Sequence, residues 1–164
     1  MNKKFVVCLG YLMSIVVANL SATHFGIWST PINAFVLIGL EMATRDYLHV
    51  NLNRLWLLVI VFAGGILSYM INQDAQNIAL ASCVAVMLSC TVDYFIFNKV
   101  SGTWFKKSNV SNVGSSISDS IVFPVIAFGV LSPVVILLHI FMKLSGGFIW
   151  SNIINKYFIF NKID

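Results

Sequence analysis

The sequence predicts an all-α, polytopic membrane protein with six transmembrane helices and both the N- and C-termini in the cytoplasm. Three observations predict it. The first is composition: of 164 residues, 59% are hydrophobic and only 10% are charged, with a mean hydropathy of +0.88. A soluble domain carries roughly 25% charged residues. The second is length. At about 20 residues per span, residues 1–164 accommodate six helices and short connections as a single transmembrane domain, with no room for a separate soluble one. The third is the placing of positive charge. Lys3, Lys4, Arg54, Lys99, Lys106, Lys107, Lys156 and Lys162 fall at the N-terminus, after span two, after span four and in the tail, while the other three connections carry no Lys or Arg. Under the positive-inside rule this alternation fits an even number of spans with both ends in the cytoplasm.

Span one covers residues 4–23. Its Met-Asn-Lys-Lys start imitates a signal peptide, but the apolar run is long, no small-x-small cleavage site follows and more spans come after, so it reads as a helix. A polar turn from His24 to Pro31 leads to span two, residues 32–49, the most polar of the set, with Glu41, Arg45 and Asp46 in its later half. Asn51 to Asn53 make a tight connection to span three, residues 54–72, where Gly64-Gly65 permits close helix approach or a bend. Span four, residues 77–98, is rich in Ala, Ser and Cys early and bears Asp93 late. Lys99 to Asn112 reads as the longest loop. Span five, residues 113–131, is separated by Ser132-Pro133 from span six, residues 133–154, which contains His139 and Lys143.

Span five contradicts itself. Its second half is apolar, yet its first turns carry Ser115, Ser116, Ser118, Asp119 and Ser120. An ionised Asp near a bilayer centre costs about 2.5–3.5 kcal/mol on insertion scales, so it faces a partner or a cavity. Pro124 removes a backbone donor and displaces the bond to the Ser120 carbonyl, four residues back. Acid, hydroxyls and a freed carbonyl thus lie within about one and a half helical turns, which is chemistry for gripping a polar ligand inside a membrane. With the cytoplasmic ends assigned as above, Arg45, Asp46, Asp93 and Asp119 fall toward the cytoplasmic half of their helices, and Glu41 and Lys143 nearer the middle. Glu41 and Arg45, Ser115 and Asp119, and His139 and Lys143 are each four apart and share a helix face.

Blander roles stand beside these. Arg45 can neutralise Glu41 locally, and Asp46 and Asp93 can reach interfacial water. Lys143 offsets Asp119 or Asp93 in preference to an anionic ligand. His139 reads as a packed or hydrogen-bonded histidine. Asn19 either bonds between helices or lines the mouth of a pathway. Most Phe and Trp residues belong to lipid or the interface, with Trp28, Phe35, Phe123 and Phe128 near enough to the polar segments to stack on a ligand. Cys8, Cys83 and Cys90 lie in apolar runs with no metal-ligand or disulfide spacing, so they read as packed apolar residues. No metal site or cofactor is expected. Scattered lysines form no nucleic-acid face. The absence of a Ser/His pair with Gly-x-Ser-x-Gly, of His-x-x-x-His and of clustered Cys argues against an enzyme, and the absence of a phosphate-binding Gly-x-x-x-x-Gly-Lys fits a subunit that docks onto an energising partner.

Several stretches, in order, resemble one family. Val17-Ala18-Asn19-Leu20 resembles its first-helix Ala-Asn, Gly39-Leu40 through Thr44-Arg45-Asp46 the Gly-Leu…Arg-Asp pattern of one of its branches, and Ala81-Ser82 to Asp93 its fourth-helix Ala-Ser…Asp segment. Ser111-Asn112, Ser115, Asp119-Ser120, Phe123 and Ala127-Phe128-Gly129 resemble its fifth-helix signature, and Lys143 a sixth-helix lysine. The chain is similar to the VUT family of small bacterial integral membrane proteins, the queuosine-precursor transporters. The resemblance implies a multi-pass carrier in the bacterial cytoplasmic (inner) membrane that imports a deazaguanine such as preQ0 or preQ1. One departure stands out: Cys90 occupies the position where family members often carry Glu, which alters the acidic set.

A guanine-like ring offers a ring N–H and an amino group side by side, and a carboxylate accepts both at once. On this basis Asp119 is expected to grip the base edge, with Ser115, Ser116 and Ser120 assisting. Phe123 covers the flat face, and Asn19, Asp93 and Lys143 surround the site. Glu41, Arg45 and Asp46 form a gate or a structural ion set. Expected partners are the deazaguanine-like substrate, the lipid bilayer, and a second copy or an energising subunit, with no nucleic acid. The alternative readings are a substrate-binding membrane subunit that needs an energising partner, a transporter of another small base or vitamin, and a pore-forming protein, which a polar strip continuous between the two surfaces would favour.

Overall fold

The computed structural model describes residues 3–52 and 54–159, and it is helical almost throughout, with no strand among the described residues. Helix α1 (Lys3–Phe25) ends in a 3-10 turn, Gly26–Ser29, where Gly26 takes a left-handed φ of 65° and the chain reverses. Helix α2, residues 30–51, opens with Thr30–Asn33, passes through a π-helical segment, Ala34–Ile38, and continues as Gly39–Asn51. Helix α3 (Arg54–Ile71) leads into a turn in which the Asn72 side chain accepts from the Asp74 amide at 3.0 Å. Helices α4 (Gln76–Lys99), α5 (Trp104–Phe128) and α6 (Pro133–Ile154) follow, the last continuing into a π turn, Asn155–Ile159.

Four helical stretches are long and apolar enough to cross a membrane: Lys3–Asn51, Gln73–Lys99, Trp104–Phe128 and Pro133–Phe158. Trp56–Ile71 is a shorter apolar helix. The first stretch is folded on itself, because α1 packs against α2 beyond the Gly26 turn. Further pairs complete the bundle: α1 with α3, α3 with α4, α4 with α5, and α6 with both α5 and α2.

The distribution of side chains is that of a multi-pass membrane protein, with large apolar groups outside and polar groups inside. Along α5, Val113, Ile117, Ile121 and Val125 recur every fourth residue on the exposed face, whereas Ser108, Ser111, Ser115, Ser116 and Ser120 are fully buried. A soluble helix shows the reverse. Some apolar burial remains, chiefly Tyr11, Ile15, Ala43, Leu48, Val61 and Val86, which join α1, α2, α3 and α4.

Two expectations are corrected here. The stretch from Lys99 to Asn112 is not a long loop. Thr103 caps the next helix, its hydroxyl accepting from the Lys106 amide at 3.3 Å, and α5 begins at Trp104 rather than residue 113. The helix closes at Phe128, where Gly129 adopts φ 65° as a left-handed cap. As a consequence Asp119 lies in the far half of the 25-residue α5, not the half near its lysines.

The lysines themselves gather. Lys3 Nζ reaches the Tyr157 carbonyl (3.4 Å), Lys4 Nζ the Asn51 carbonyl (3.2 Å), and Lys107 lies 5.7 Å from the Phe97 ring centroid. The start of α1, the ends of α2 and α4, the start of α5 and the tail of α6 therefore share one end of the bundle. Lys162 and the side chain of Arg54, which belong to the sequence's charge pattern, and Asn53 of the tight connection lie outside the described residues.

At the crossing of α2 and α6 the two backbones come into direct contact, which fixes where the charges meet. A Cβ on Gly146 would lie 1.9 Å from the Phe35 carbonyl oxygen, and one on Gly39 would lie 2.6 Å from the Gly146 carbonyl carbon. Only backbone fits there. Phe35 belongs to the π segment, whose wider turn brings that carbonyl toward α6. Gly64 and Gly65 play a similar part on α3, lying against Ile15 of α1 and Cys83 of α4.

Candidate functional site: a buried ion network between two cavities

Helix α6 presents His139 and Lys143 one turn apart on its buried face. Lys143 Nζ forms an ion pair with Asp119 and donates to Ser120 Oγ at 3.0 Å. Pro124, one turn further along α5, has no N–H to donate to the Ser120 carbonyl, and the helix nevertheless continues past it. His139 Nε2 lies 2.7 Å from Thr30 Oγ1. Beside the pair is a cavity of about 40 Å³ lined by Asn19, Asn33, Asp119, Phe123, His139 and Lys143, among others. Space of this kind holds a few waters, at about 10–15 Å³ each. A bicyclic ring does not fit without movement.

Nearer the lysine-rich end, Arg45 is the hub of a second cluster, 1% exposed and reached from three helices. Its Nη1 donates to Ser89 Oγ (3.1 Å) and lies 3.7 Å from Glu41 Oε1 and 4.0 Å from Cys90 Sγ. Its Nη2 donates to Ser115 Oγ (3.3 Å) and lies 3.5 Å from Asp93 Oδ1, while Nε lies 3.8 Å from Asp46 Oδ1. The other Asp46 oxygen accepts from the Ser108 hydroxyl, which is itself 3.2 Å from Ser151 Oγ of α6. A larger cavity of about 240 Å³ opens against this cluster, lined by Arg45, His49, Cys90, Asp93 and Tyr94 together with apolar side chains of α3 and α4. The two cavities share no lining residue. The buried polar strip thus extends along the bundle, but the spaces along it are separate.

The structure sorts the expected site residues into two groups. Asp119, Ser120, Lys143, Asn19 and Phe123 meet at the small cavity, and Asn19 also donates to Ser68 Oγ at 3.1 Å, so it both bonds across helices and lines the space. Asp93 and Ser115 instead join Glu41, Arg45 and Asp46. Ser115 shares a helix face with Asp119 but serves Arg45, and Ser116 is directed at Met42 Sδ (3.7 Å). The structure therefore does not seat these two serines on the Asp119 carboxylate, which Lys143 occupies. Asp46 and Asp93, whose blander reading put them in interfacial water, are 0% and 2% exposed. Trp28, at 88% exposure, stands away from the site.

Sequence reasoning passed over Thr30, Asn33, Ser89, Ser108 and Ser151. The signal for Ser108 was present: Ser108, Asn112, Ser115 and Asp119 continue a helical spacing back through the stretch read as a loop. Glu41 and Cys90 face the same Arg45 nitrogen, so Glu41 supplies a carboxylate at the nitrogen that Cys90 also faces. Comparisons of the chain with protein-family models, with curated proteins and with solved structures found no match.

Proposed function

We propose that the chain is a carrier, not an enzyme, that imports a deazaguanine precursor of queuosine across the bacterial cytoplasmic membrane, with six spans and its lysine-rich end in the cytoplasm. The observation that carries this reading is a buried ion network with a cavity on either side, inside helices whose outer faces are apolar. Such charges are expensive in a membrane and mark substrate or ion pathways. The gathering of Lys3, Lys4, Lys107 and Tyr157 at one end supports the orientation. Separate cavities favour a carrier over an open pore.

In this reading Asp119 receives the paired N–H donors of the base edge, which take the place of the Lys143 ammonium. A carboxylate satisfied by a movable cation is a site that a two-donor ligand can enter without leaving a bare charge. Phe123 and Asn19 contact the ring from the cavity wall, and Arg45 with Glu41, Asp46 and Asp93 forms the latch on the cytoplasmic side.

The test uses cells that neither make queuosine nor import its precursors. Expression of this chain, with each precursor fed, is expected to restore queuosine in tRNA, and Asp119→Asn is expected to abolish the rescue while the protein still reaches the membrane. Failure of the wild-type chain with every precursor would remove the substrate assignment, and full rescue by Asp119→Asn would remove the site.

A further inference from the structure

The network's charges do not balance. Among the described side chains, Glu41, Asp46, Asp93 and Asp119 face Arg45 and Lys143, and once Lys143 is paired with Asp119, Arg45 stands against three acids. Each uncompensated ion in such a setting costs several kcal/mol. A second observation locates the surplus. Asp46 Oδ1 and Asp93 Oδ1, from α2 and α4, lie at the same Nε–Nη2 edge of the guanidinium, and neither oxygen has a hydrogen-bond partner, nor has Arg45 Nε. Both residues are buried. Two buried carboxylates that face one guanidinium without another donor on these oxygens repel one another, and a single proton bound by the pair relieves the repulsion.

We propose that Asp46 and Asp93 form a proton-binding pair that takes up one proton beside Arg45, and that this proton is the ion coupled to transport. The coupling role rests on the carrier reading; the pair's proton does not. The pair binds one proton and passes from two negative charges to one, so that Arg45 faces two negative charges, the pair's and that of Glu41, in place of three. It releases the same proton to water, and nothing is oxidised or reduced.

The groups facing the pair are consistent with this. On α2 they are Arg45 itself, Glu41 one turn back and His49 at the cavity wall. From α4 come Cys90 and Tyr94, and from α1 the Tyr11 hydroxyl beside Glu41. Helix α5 contributes the neutral donors Ser108 and Ser115, α6 contributes Ser151, and α3 contributes apolar Leu57 and Leu58. The larger cavity reaches Asp93, so the pair borders open space on one side. A metal ion suits the place poorly. Ca²⁺ takes about 6–8 oxygen ligands, a fixed guanidinium lies alongside, and no group of three or more His, Cys, Asp or Glu residues among those described is arranged to hold a metal. Because Arg45 also donates to Ser89 of α4 and Ser115 of α5, the charge on the pair sets how firmly those helices are held together.

Infrared difference spectroscopy on the purified chain in lipid nanodiscs reads the pair directly. Wild type is expected to give a protonated-carboxyl C=O band at neutral pH that shifts in D2O. The band is expected to be lost in both Asp46→Asn and Asp93→Asn and to persist in Glu41→Gln and Asp119→Asn. No such band in wild type, or a band lost only in Glu41→Gln, overturns the pair, and the wild-type spectrum decides this even if a variant fails to fold. In wild-type proteoliposomes, labelled deazaguanine is expected to accumulate under an inward proton gradient, with alkalinisation of the outer medium. Accumulation driven by a sodium gradient alone overturns the coupling. Absence of exchange between labelled and unlabelled deazaguanine removes instead the carrier reading, and with it the coupling role, leaving the infrared result to judge the pair.

Discussion

Lys143 and Asp119 show what the bundle asks of a single residue. Each is the other's counter-ion in a setting where water is scarce, so their energies are not separable. Lys143→Met leaves the Asp119 carboxylate bare, and breaking a buried pair in this way costs about 3–5 kcal/mol. The double variant Asp119→Asn/Lys143→Met removes both charges and is expected to recover most of that loss in denaturant unfolding in detergent, yet to show no uptake. Independent additive effects would contradict the pairing. Arg45→Met is expected to be worse than Lys143→Met in the same assay, because it strands three acids rather than one. The presence of a polar interior was legible in the sequence, since acids and hydroxyls inside apolar runs have nowhere else to go. The choice of partners was not. Spacing within α2 pairs Glu41 with Arg45, but whether Asp93 meets Lys143 or Arg45 depends on how α4 sits against α2 and α6, and no local pattern encodes that.

At the scale of the element, the crossing of α2 and α6 is held by absent side chains. Gly146→Ala would drive a methyl into the Phe35 carbonyl, 1.9 Å away, and overpacking of this kind typically costs about 1–3 kcal/mol or more. The control is Gly10→Ala on α1, where no atom lies within 4 Å of the added carbon. It is expected to be neutral or to stabilise by up to about 1 kcal/mol, as Gly→Ala in a helix does. Thermal stability of the two purified variants checks the contrast, and equal tolerance would mean that the close crossing is not what holds α6. The π segment that brings Phe35 to α6 left no mark in the sequence. The start of α5 departs from the sequence pattern for a related reason: Lys106, Lys107, Ser108 and Asn109 look like a solvated loop in composition, whereas their helix carries its polar groups on the buried side and at the bundle's end.

The described residues form an inside-out bundle, and its class was legible from composition. The geometry adds the asymmetry of its ends, with lysines at one end and none at the turn Gln73–Ala75. In a background with Cys8, Cys83 and Cys90 replaced, Gln73→Cys is expected to react with an impermeant maleimide on intact cells, and Lys106→Cys only after the cells are opened. The reverse pattern would invert the topology. Both residues are exposed, so access and not burial decides the result.

The measurement closest to the central claim is uptake of a labelled deazaguanine by the purified chain, with no other protein, in liposomes. Wild type is expected to take up the label and to be competed by unlabelled precursor, while Asp119→Asn, inserted to the same level, remains at the background of empty liposomes. Uptake by Asp119→Asn equal to that of wild type, or none by wild type, would contradict the account.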